Sequence, residues 1–338
     1  MNVKTLGIDL AKNVFQLHGV DERGQVVLRK RVSRAKLLPT IANVRPCLIG
    51  LEACSGSYHW VRQFMAQGHE VKLMSPDYVK PYVKTNKNDE NDAEGICEAV
   101  TRPSMRFVSP KTVEQQDLQA LHRVRSRVMK ERTALANQAR GLLAEYGLTV
   151  AQGVHRLRHA LPRILEDAEN GLSSDARELF AELYEQLLVC DERVNHYDAR
   201  IKRLFKRSPV CQKLACVEGV GPLIATAMVA AVGDASAFKN GRQLAAWLGL
   251  TPRQHSSGGK PRLLGISKRG NAYLRTLLIH GARSVVSRAD HRDDTRSRWV
   301  SNIKARRGTN RACVALANKN ARILWALMAR EEAYRTAA

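Results

Sequence analysis

The first hundred residues alternate between short apolar runs and polar turns, a pattern that predicts an α/β layer. Three runs of strand character come first, at residues 3–10, 13–20 and 25–32. Helical and buried-strand patterns then alternate over residues 34–44, 47–53, 56–68 and 70–76. Three hairpin-linked strands followed by alternating helices and strands predict one mixed sheet covered by helices.

Between residues 113 and 207 the pattern changes to two long helices with apolar residues at every seventh position. The column in the first helix is Leu121, Val128, Leu135 and Leu142. The columns in the second are Phe180, Leu187, Val194 and Ile201, beside Leu183, Cys190, Tyr197 and Leu204. These heptads predict a coiled coil, either within the chain or between subunits. Residues 148–172, between the helices, are expected to be irregular.

From residue 209 onward the chain is mostly helical in pattern and begins with the turn VEGVG at 217–221. Such a turn before an Ala-rich helix resembles the hairpin of helix-hairpin-helix modules, where backbone N–H groups approach a phosphate. A packing turn between two helices would look the same, so both interpretations stay open. The predicted domains are an RNase H-like α/β domain, a helical coiled-coil region and a mostly α-helical C-terminal domain, at 1–111, 112–208 and 209–338.

The charge of the chain predicts a polyanionic partner. Its 55 Lys and Arg oppose 32 Asp and Glu, a formal net charge of +23. Residues 239–338 alone contain 21 Lys and Arg against five acids. The seven cysteines are scattered and form no C-x-x-C pair, which is typical of a reducing compartment. Without a signal sequence or a membrane-length apolar run, the protein is expected to be cytoplasmic and not membrane-bound.

Four acidic residues at the ends of predicted elements are candidate metal ligands. Asp9 ends the first strand, and Glu52 ends a strand that neighbours it in an RNase H-like sheet, so the two carboxylates are expected to converge. Asp89 and Asp92 are three residues apart and share one face of a helix. Four hard oxygen ligands could hold two Mg²⁺ ions, or Mn²⁺, for phosphodiester chemistry. Alternatively, Asn88 or Asp89 caps this helix and the acids complement its dipole; both interpretations can hold together.

A second candidate site is the loop TPRQHSSGGKPR at 251–262. A serine attacks a phosphate only when its proton is removed and the phosphate charge is neutralised. His255 or a metal-bound hydroxide could remove the proton from Ser256 or Ser257, and the flanking cations could neutralise the charge. Composition alone favours a simpler loop that binds phosphate without covalent chemistry. The predicted phosphate-binding residues are Arg253, Lys260, Arg262, Lys268, Arg269 and Arg275.

The chain resembles the DEDD transposases of the insertion sequence 110 family, subgroup 1111, to which the pilin-gene invertases are related. The motifs are GIDLAK, LEACSG, NKNDENDAEGI, VEGVGPLIATAMVAAVGD, LAAWLGLTPRQHSSGGK and ISKRGNAYLRTLL, in that order. The resemblance implies a RuvC-like N-terminal domain, a helical coiled-coil linker and a C-terminal transposase domain. The catalytic, Mg²⁺-binding residues it implies are Asp9, Glu52, Asp89 and Asp92. It also implies that the serine directly before glycine, Ser257, attacks DNA and forms a covalent phosphoserine link.

The resemblance further implies that the partners are donor DNA, target DNA and a structured noncoding guide RNA. Because both strands of each duplex must be handled, a homodimer or homotetramer is expected, associated with the nucleoid during the reaction. The alternative function is a Holliday-junction-resolvase-like, Mg²⁺-dependent, structure-selective endonuclease in which water attacks. GIDLAK also resembles the phosphate loop of actin-like ATPases, but no second Gly-rich loop accompanies it. A non-catalytic nucleic-acid scaffold is a further alternative.

Overall fold

The computed structural model describes residues 2–84, 88–330 and 334 and divides the chain into two compact units, Met1–Thr112 and Val113–Ala338. Asn86 and Lys87 of the NKNDENDAEGI motif lie outside the described residues. The further boundary predicted at residue 208 stays a prediction.

The first unit is built on a six-stranded sheet with the order β3-β2-β1-β4-β5-β6. The strands are β1 (Thr5–Leu10), β2 (Val14–Val20), β3 (Val26–Ser33), β4 (Leu48–Glu52), β5 (Glu70–Met74) and β6 (Phe107–Val108). The helices are α1 (Arg34–Ala42), α2 (Ser57–Ala66), α3 (Pro76–Val79) and α4 (Asp89–Val100). The strands and helices predicted over residues 3–76 are confirmed to within two residues, while β6 was not predicted. This mixed α/β layer fits an RNase H-like domain.

Successive side chains of β1 point to opposite faces of the sheet. Leu6 and Ile8 are fully buried in a core that also contains Trp60 and Phe64 of α2. Gly7 and Asp9 point to the other face, which α4 covers. The first unit therefore places its large apolar side chains on the α2 side of β1 and leaves small and acidic residues on the α4 side.

The second unit is mainly helical. Its helices are α5 (Val113–Glu145), α6 (Val154–Glu166), α7 (Ser174–Arg207), α8 (Pro209–Ala215), α9 (Pro222–Val232), α10 (Gly241–Trp247), α11 (Ala272–Val286), α12 (Thr295–Arg307) and α13 (Thr309–Ala329). A hairpin of β7 (Pro252–Gln254) and β8 (Leu263–Ile266) lies between α10 and α11 in the chain. Over the described ranges, no helix combines the length and apolarity needed to cross a bilayer.

Helices α5 and α7 pack as an antiparallel pair within the chain. The Arg125 guanidinium donates to both carboxylate oxygens of Asp198, at 2.5 and 3.2 Å. Seven residues later in α5, Arg132 donates to Asp191, seven residues earlier in α7, at 2.7 Å. The two ion pairs are seven residues apart in each helix, and the order is reversed between α5 and α7. The heptad faces of these helices therefore contact each other within one chain.

The predicted heptad columns hold better in α7 than in α5. In α7 the buried side chains run with heptad spacing from Phe180 to Ile201, although Leu204 is exposed. In α5 the seam drifts, so that Ala136 and Leu143 are fully buried where Leu135 and Leu142 were predicted. A straight helix drifts in this way because 3.6 residues per turn do not match a seven-residue repeat.

The prediction that residues 148–172 are irregular is wrong, because they contain α6. Leu157 and Leu161, one turn apart, are fully buried and fix the inner face of this helix. The sequence pattern did not predict this helix because Pro162 lies inside it. The Arg177 guanidinium donates to the carbonyl of Leu165 at 2.9 Å and to that of Asp167 at 2.7 Å. These bonds satisfy acceptors that the end of a helix leaves open.

His122 of α5 is buried in a chain of hydrogen bonds that reaches α9 and α11. Its Nε2 lies 3.0 Å from the Thr226 hydroxyl, which itself donates to the Pro222 carbonyl at 2.7 Å. Nε2 therefore donates, and Nδ1 accepts from the Tyr273 hydroxyl at 3.0 Å. Burial, assisted by the charge of Arg125, lowers the pKa of His122 to about 4. The network thus requires a neutral imidazole.

This network predicts a pH-dependent stability. Because the pKa of His122 is about 4 in the folded protein and 6.5 ordinarily, protons bind the unfolded chain more readily. The stabilisation is complete above pH 6.5 and is lost as the pH falls towards 4, by about 3 kcal/mol in all. We expect chemical denaturation to show this loss in wild type and not in His122→Gln. Parallel pH profiles for the two proteins would contradict it.

Candidate functional site

Two glycines on neighbouring strands let α4 lie very close to the sheet. Gly7 of β1 and Gly50 of β4 are direct partners in the parallel register. A Cβ on Gly7 would lie 2.3 Å from the Ala93 carbonyl oxygen, and a Cβ on Gly50 would lie 2.8 Å from the Val100 Cβ. Both distances are shorter than real side chains allow, so glycine at these two positions is a condition of the packing.

Helix α4 runs antiparallel to β1. The Cys97 thiol lies 3.7 Å from the carbonyl of Thr5, at the start of the strand. Gly7, two residues further on, faces Ala93, one turn earlier in the helix. The first turn of α4 therefore lies towards the other end of β1, where Asp9 is found.

Asp9 and Glu52 both lie on the α4 side of the sheet, because each follows one of the two glycines by two residues. Both side chains are half-buried. Burial, followed by the negative charges of Glu52 and Asp9, raises the pKa of the Cys54 thiol. The two carboxylates therefore share one electrostatic neighbourhood, as the sequence predicts for neighbouring strand ends.

The start of α4 combines a cap with a group of acids. The Asn88 side-chain oxygen accepts a hydrogen bond from the Asn91 backbone N–H at 2.7 Å, so Asn88 is the N-cap and Asp89 the first helical residue. The acids of the first turn are Asp89, Glu90 and Asp92, which favour the positive end of the helix dipole. Asp92 is half-buried and Asp89 is exposed. The capping interpretation is confirmed, and it fixes the direction of both aspartates.

The four predicted ligands suit a hard divalent cation in their chemistry, since all are carboxylates directed to one end of the sheet. Within residues 2–84, 88–330 and 334, however, no three His, Cys, Asp or Glu side chains form a group that could hold a metal ion. The backbone thus places Asp9 and Glu52 at the ends of neighbouring strands, and α4 begins towards the same end of the sheet. Side-chain movement would be needed to close a three-ligand cluster.

Two polar residues on β2 share this face and were not predicted. Gln16 is the cross-strand partner of Asp9, and His18 is the partner of Gly7; both are buried. Burial lowers the pKa of His18, against an opposing effect of the Glu94 charge. A Gln and a His two positions apart in an otherwise apolar strand are the signal that the sequence contained.

Ser257 occupies the first position of the tight turn that closes the β7–β8 hairpin. The Lys260 backbone N–H donates to the Ser257 carbonyl at 3.1 Å, and Gly258 and Gly259 have φ of 55° and 72°. Two consecutive positive φ angles are typical of a type I′ turn, which matches the twist of a hairpin and favours glycine at both positions. The glycine pair therefore builds a defined turn with Ser257 beside its tip.

One face of this hairpin presents groups suited to a phosphate. His255 pairs with Arg262, its N–H donating to the carbonyl at 3.0 Å, and Ser257 pairs with Lys260. These alternate positions share a face, and with Ser256 they line a surface cavity of about 390 Å³. A hydroxyl, an imidazole and two cations thus face the same space.

The two adjacent serines are engaged differently. The Ser256 hydroxyl accepts hydrogen bonds from the Arg262 backbone N–H at 3.2 Å and from the Gln254 side chain at 2.8 Å. These bonds tie Ser256 to the hairpin framework. The Ser257 hydroxyl is exposed and makes no hydrogen bond within the part of the chain that the structure describes.

The base of the hairpin is held by close backbone contacts. A Cβ on Gly270 would lie 1.8 Å from the Trp247 carbonyl oxygen. The Arg275 Nη1 donates to the carbonyls of Leu248 at 3.0 Å and Arg269 at 2.8 Å, so this predicted phosphate-binding residue also braces the hairpin. The other predicted cations are exposed: Arg253, Lys260, Arg262, Lys268 and Arg269. Phosphate contact by all six stays a prediction.

The VEGVG turn between α8 and α9 packs against α11. Gly219 has φ of 81°, and a Cβ there would lie 2.7 Å from the Gly281 carbonyl oxygen. The Glu218 carboxylate accepts a hydrogen bond from Arg292 at 2.8 Å. Gly219 thus serves the packing, whereas a Cβ on Gly221 would meet nothing within 4 Å. Phosphate contact at this turn stays a prediction.

Comparison with known proteins shows similarity along nearly the whole chain. The model for the Transposase IS116/IS110/IS902 family matches residues 211–298, and a DEDD transposase model matches residues 6–148. The chain is 51% identical over 337 residues to the transposase for insertion sequence element IS1111A of Coxiella burnetii (strain RSA 493 / Nine Mile phase I), covering 100% of this chain and 93% of that protein. It is 48% identical to the probable family 20 transposase of Pseudomonas aeruginosa, covering 99% of each. It is 25% identical over 228 residues to the pilin gene-inverting protein of Moraxella bovis, covering 65% of this chain and 60% of that protein.

The glycine packing predicts that Gly7→Ala destabilises the first unit by about 1–3 kcal/mol, because the new methyl group must push α4 away. Gly141→Ala is the matched control, since Gly141 lies inside α5 with nothing within 4 Å of an added Cβ. Alanine there is expected to stabilise the helix by about 0.5–1 kcal/mol. Thermal unfolding of the full chain measures both changes. A Gly7→Ala protein as stable as wild type would disprove the close approach of α4.

Proposed function

Since this chain belongs to the IS116/IS110/IS902 family of transposases, we propose that it breaks and rejoins DNA by attack of Ser257 on a backbone phosphate. A DNA transposase acts on DNA, and the donor and target duplexes are its proposed substrates. The observation that supports the serine role is the difference between two neighbouring hydroxyls. Ser256 is held by the hairpin framework, whereas Ser257 is exposed beside two cations.

The proposed step forms a bond between the Ser257 oxygen and phosphorus and breaks one bond between phosphorus and a deoxyribose oxygen. His255 is on the same hairpin face and takes the serine proton, and a proton from the solvent goes to the released deoxyribose oxygen. Lys260 and Arg262 offset the charge that develops on the phosphate oxygens. Because the phosphodiester energy is kept in the phosphoserine link, a second DNA hydroxyl can reverse the step and rejoin the strand.

Asp9, Glu52, Asp89 and Asp92 are the residues that would hold Mg²⁺, or Mn²⁺, in this proposal. A divalent cation bound there would polarise the phosphate and favour loss of the serine proton. The support is the donor chemistry of the four carboxylates, the neighbouring strand ends that hold Asp9 and Glu52, and the first-turn position of Asp89 and Asp92. Asp89 and Asp92 lie in the first turn of α4, and the N-cap Asn88 fixes the start of this helix. Two of the proposed ligands therefore have defined backbone positions.

The proposal also includes a noncoding guide RNA and a homodimer or homotetramer. The net charge of +23 allows the protein to bind a second polyanion. The heptad faces of α5 and α7 contact each other within the chain. An oligomer therefore needs a surface other than this seam.

The serine role predicts that Ser257→Ala abolishes the covalent link between protein and DNA. Wild type incubated with end-labelled DNA and Mg²⁺ should give a DNA adduct that survives a denaturing gel. Ser256→Ala is the matched control, and it should keep the adduct because only framework bonds are lost. If Ser257→Ala cuts DNA as fast as wild type, water is the nucleophile and the resolvase-like endonuclease is the better function.

The carboxylate role predicts that Asp92→Asn abolishes both cleavage and adduct formation, because it removes one negative ligand without changing the size of the side chain. Glu90→Gln, two positions away and exposed in the same first turn, is the control that should keep activity. Circular dichroism should show equal folding of the two variants. Equal activities would contradict a metal role for Asp92, and full activity of Asp92→Asn would also support a scaffold over an enzyme.

A further inference from the structure

A second cavity, of about 1250 Å³, lies beside the base of the Ser257 hairpin. One wall is a face of α13, another is β8 with Pro252 of β7, and a third is the start of α10. We call it the α13 groove and define it by Arg242, Trp299, Arg311, Asn318, Lys319 and Arg322.

Helix α13 has two distinct faces. Leu316, Ala317 and Leu324 are fully buried in the core of the second unit. The opposite face, with Arg311, Lys319 and Val314 among its residues, lines the groove. The start of α10 lies tightly against α13, because a Cβ on Gly241 would come within 2.9 Å of the Arg322 Cα. The groove wall is therefore rigid, and its polar face is not used by the protein's own core.

The groove is cationic. Residues 235–289 and 295–330, which include every residue that lines it, contain no Asp or Glu. Among the described residues, neither Arg242, Arg311 nor Arg322 forms an ion pair with a carboxylate. Burial, together with the charges of Arg296 and Arg322, lowers the pKa of Lys319. Positive charge is thus concentrated here without internal neutralisation.

The floor of the groove combines this charge with aromatic and amide groups. The Lys319 ammonium lies 4.4 Å from the centroid of the Trp299 ring, which fixes its position along the groove. Asn318 donates to the Leu250 carbonyl at 3.2 Å and so fixes the neighbouring backbone. Fixed cations and amides along the α13 groove are the kinds of group that bind the phosphates of a nucleic-acid backbone.

We propose that the α13 groove binds the backbone of the DNA strand that leads to Ser257. This rests on the proposed serine role, because the choice of DNA depends on it. The hairpin that forms one groove wall at Pro252 also presents Ser257 five residues later, roughly 17 Å away along an extended strand. DNA with a phosphate at the hairpin tip therefore continues past the groove, whereas an RNA has no such link to the tip.

The test measures binding without chemistry, in full-length protein that contains Ser257→Ala. A mixed-sequence 30-base-pair DNA duplex is titrated at several salt concentrations, and an RNA duplex of the same sequence is titrated in parallel. Replacing Arg311, Lys319 and Arg322 by Gln should reduce the slope of log K against log salt by about 2.7, or 0.9 for each phosphate contact. The control variant replaces three exposed residues of α7 by Gln: Arg200, Lys202 and Arg203. It removes the same charge and should leave the slope unchanged.

A second measurement tests position. Val314→Cys inside the groove and Val189→Cys on the exposed face of α7 are matched substitutions in the same background. Saturating DNA should protect the cysteine at 314 from a maleimide and leave the one at 189 reactive, as read by peptide mass spectrometry. Three results would overturn the proposal. They are an equal loss of slope in both triple variants, no protection of the cysteine at 314 by DNA, and a change of slope for the RNA duplex alone. Failure of the serine role would appear separately, as a wild-type protein that binds DNA but forms no adduct.

Discussion

The contact between α4 and the paired glycines of β1 and β4 determines where the acids of the first unit can lie. With any larger side chain at Gly7 or Gly50, the helix would have to move outward. Carboxylates grouped at one end of a sheet repel one another, and nothing in their own chemistry holds them there. The capped start of α4 offsets part of this repulsion, since acids at a helix N-terminus gain about 0.3–1 kcal/mol each. Backbone packing therefore positions the start of α4 along the sheet, and the helix dipole stabilises the acids of its first turn.

Charge is distributed unevenly along the chain. The NKNDENDAEGI segment concentrates acids in a protein of net charge +23, whereas two long stretches of the second unit contain none. Acids placed among the groove cations would reduce their attraction for phosphate, and cations placed among the carboxylates would compete with a metal ion. About half of the acids of the second unit, 11 of 21, lie in α5 and α7, where Asp191 and Asp198 pair with arginines across the helix seam.

The sequence was most informative where one local rule acts alone. Strand alternation and turn residues located β1 to β5, and the cap residues Asn88 and Asp89 located a helix start. It failed where long-range packing decides. Helix α6 was not predicted because it contains Pro162, and its position depends on the burial of Leu157 and Leu161. In α5, the drift of the heptad pattern moves the buried seam to Ala136. The direction of α4 and the α13 groove depend on residues that are far apart in the chain, so no local pattern in the sequence could reveal them.

The exposure of Ser257 also bears on when the proposed serine attack could occur. A serine hydroxyl is a weak nucleophile until a base and a neutralised phosphate are both present. In the proposed reaction, His255, Lys260 and Arg262 would supply the base and the cations, and the phosphate would arrive only with DNA. An exposed hydroxyl costs little, because water satisfies its hydrogen bonds, whereas a buried one without a partner would destabilise the fold. The type I′ turn at the surface thus leaves the Ser257 hydroxyl accessible to a large substrate, as the proposed serine role requires.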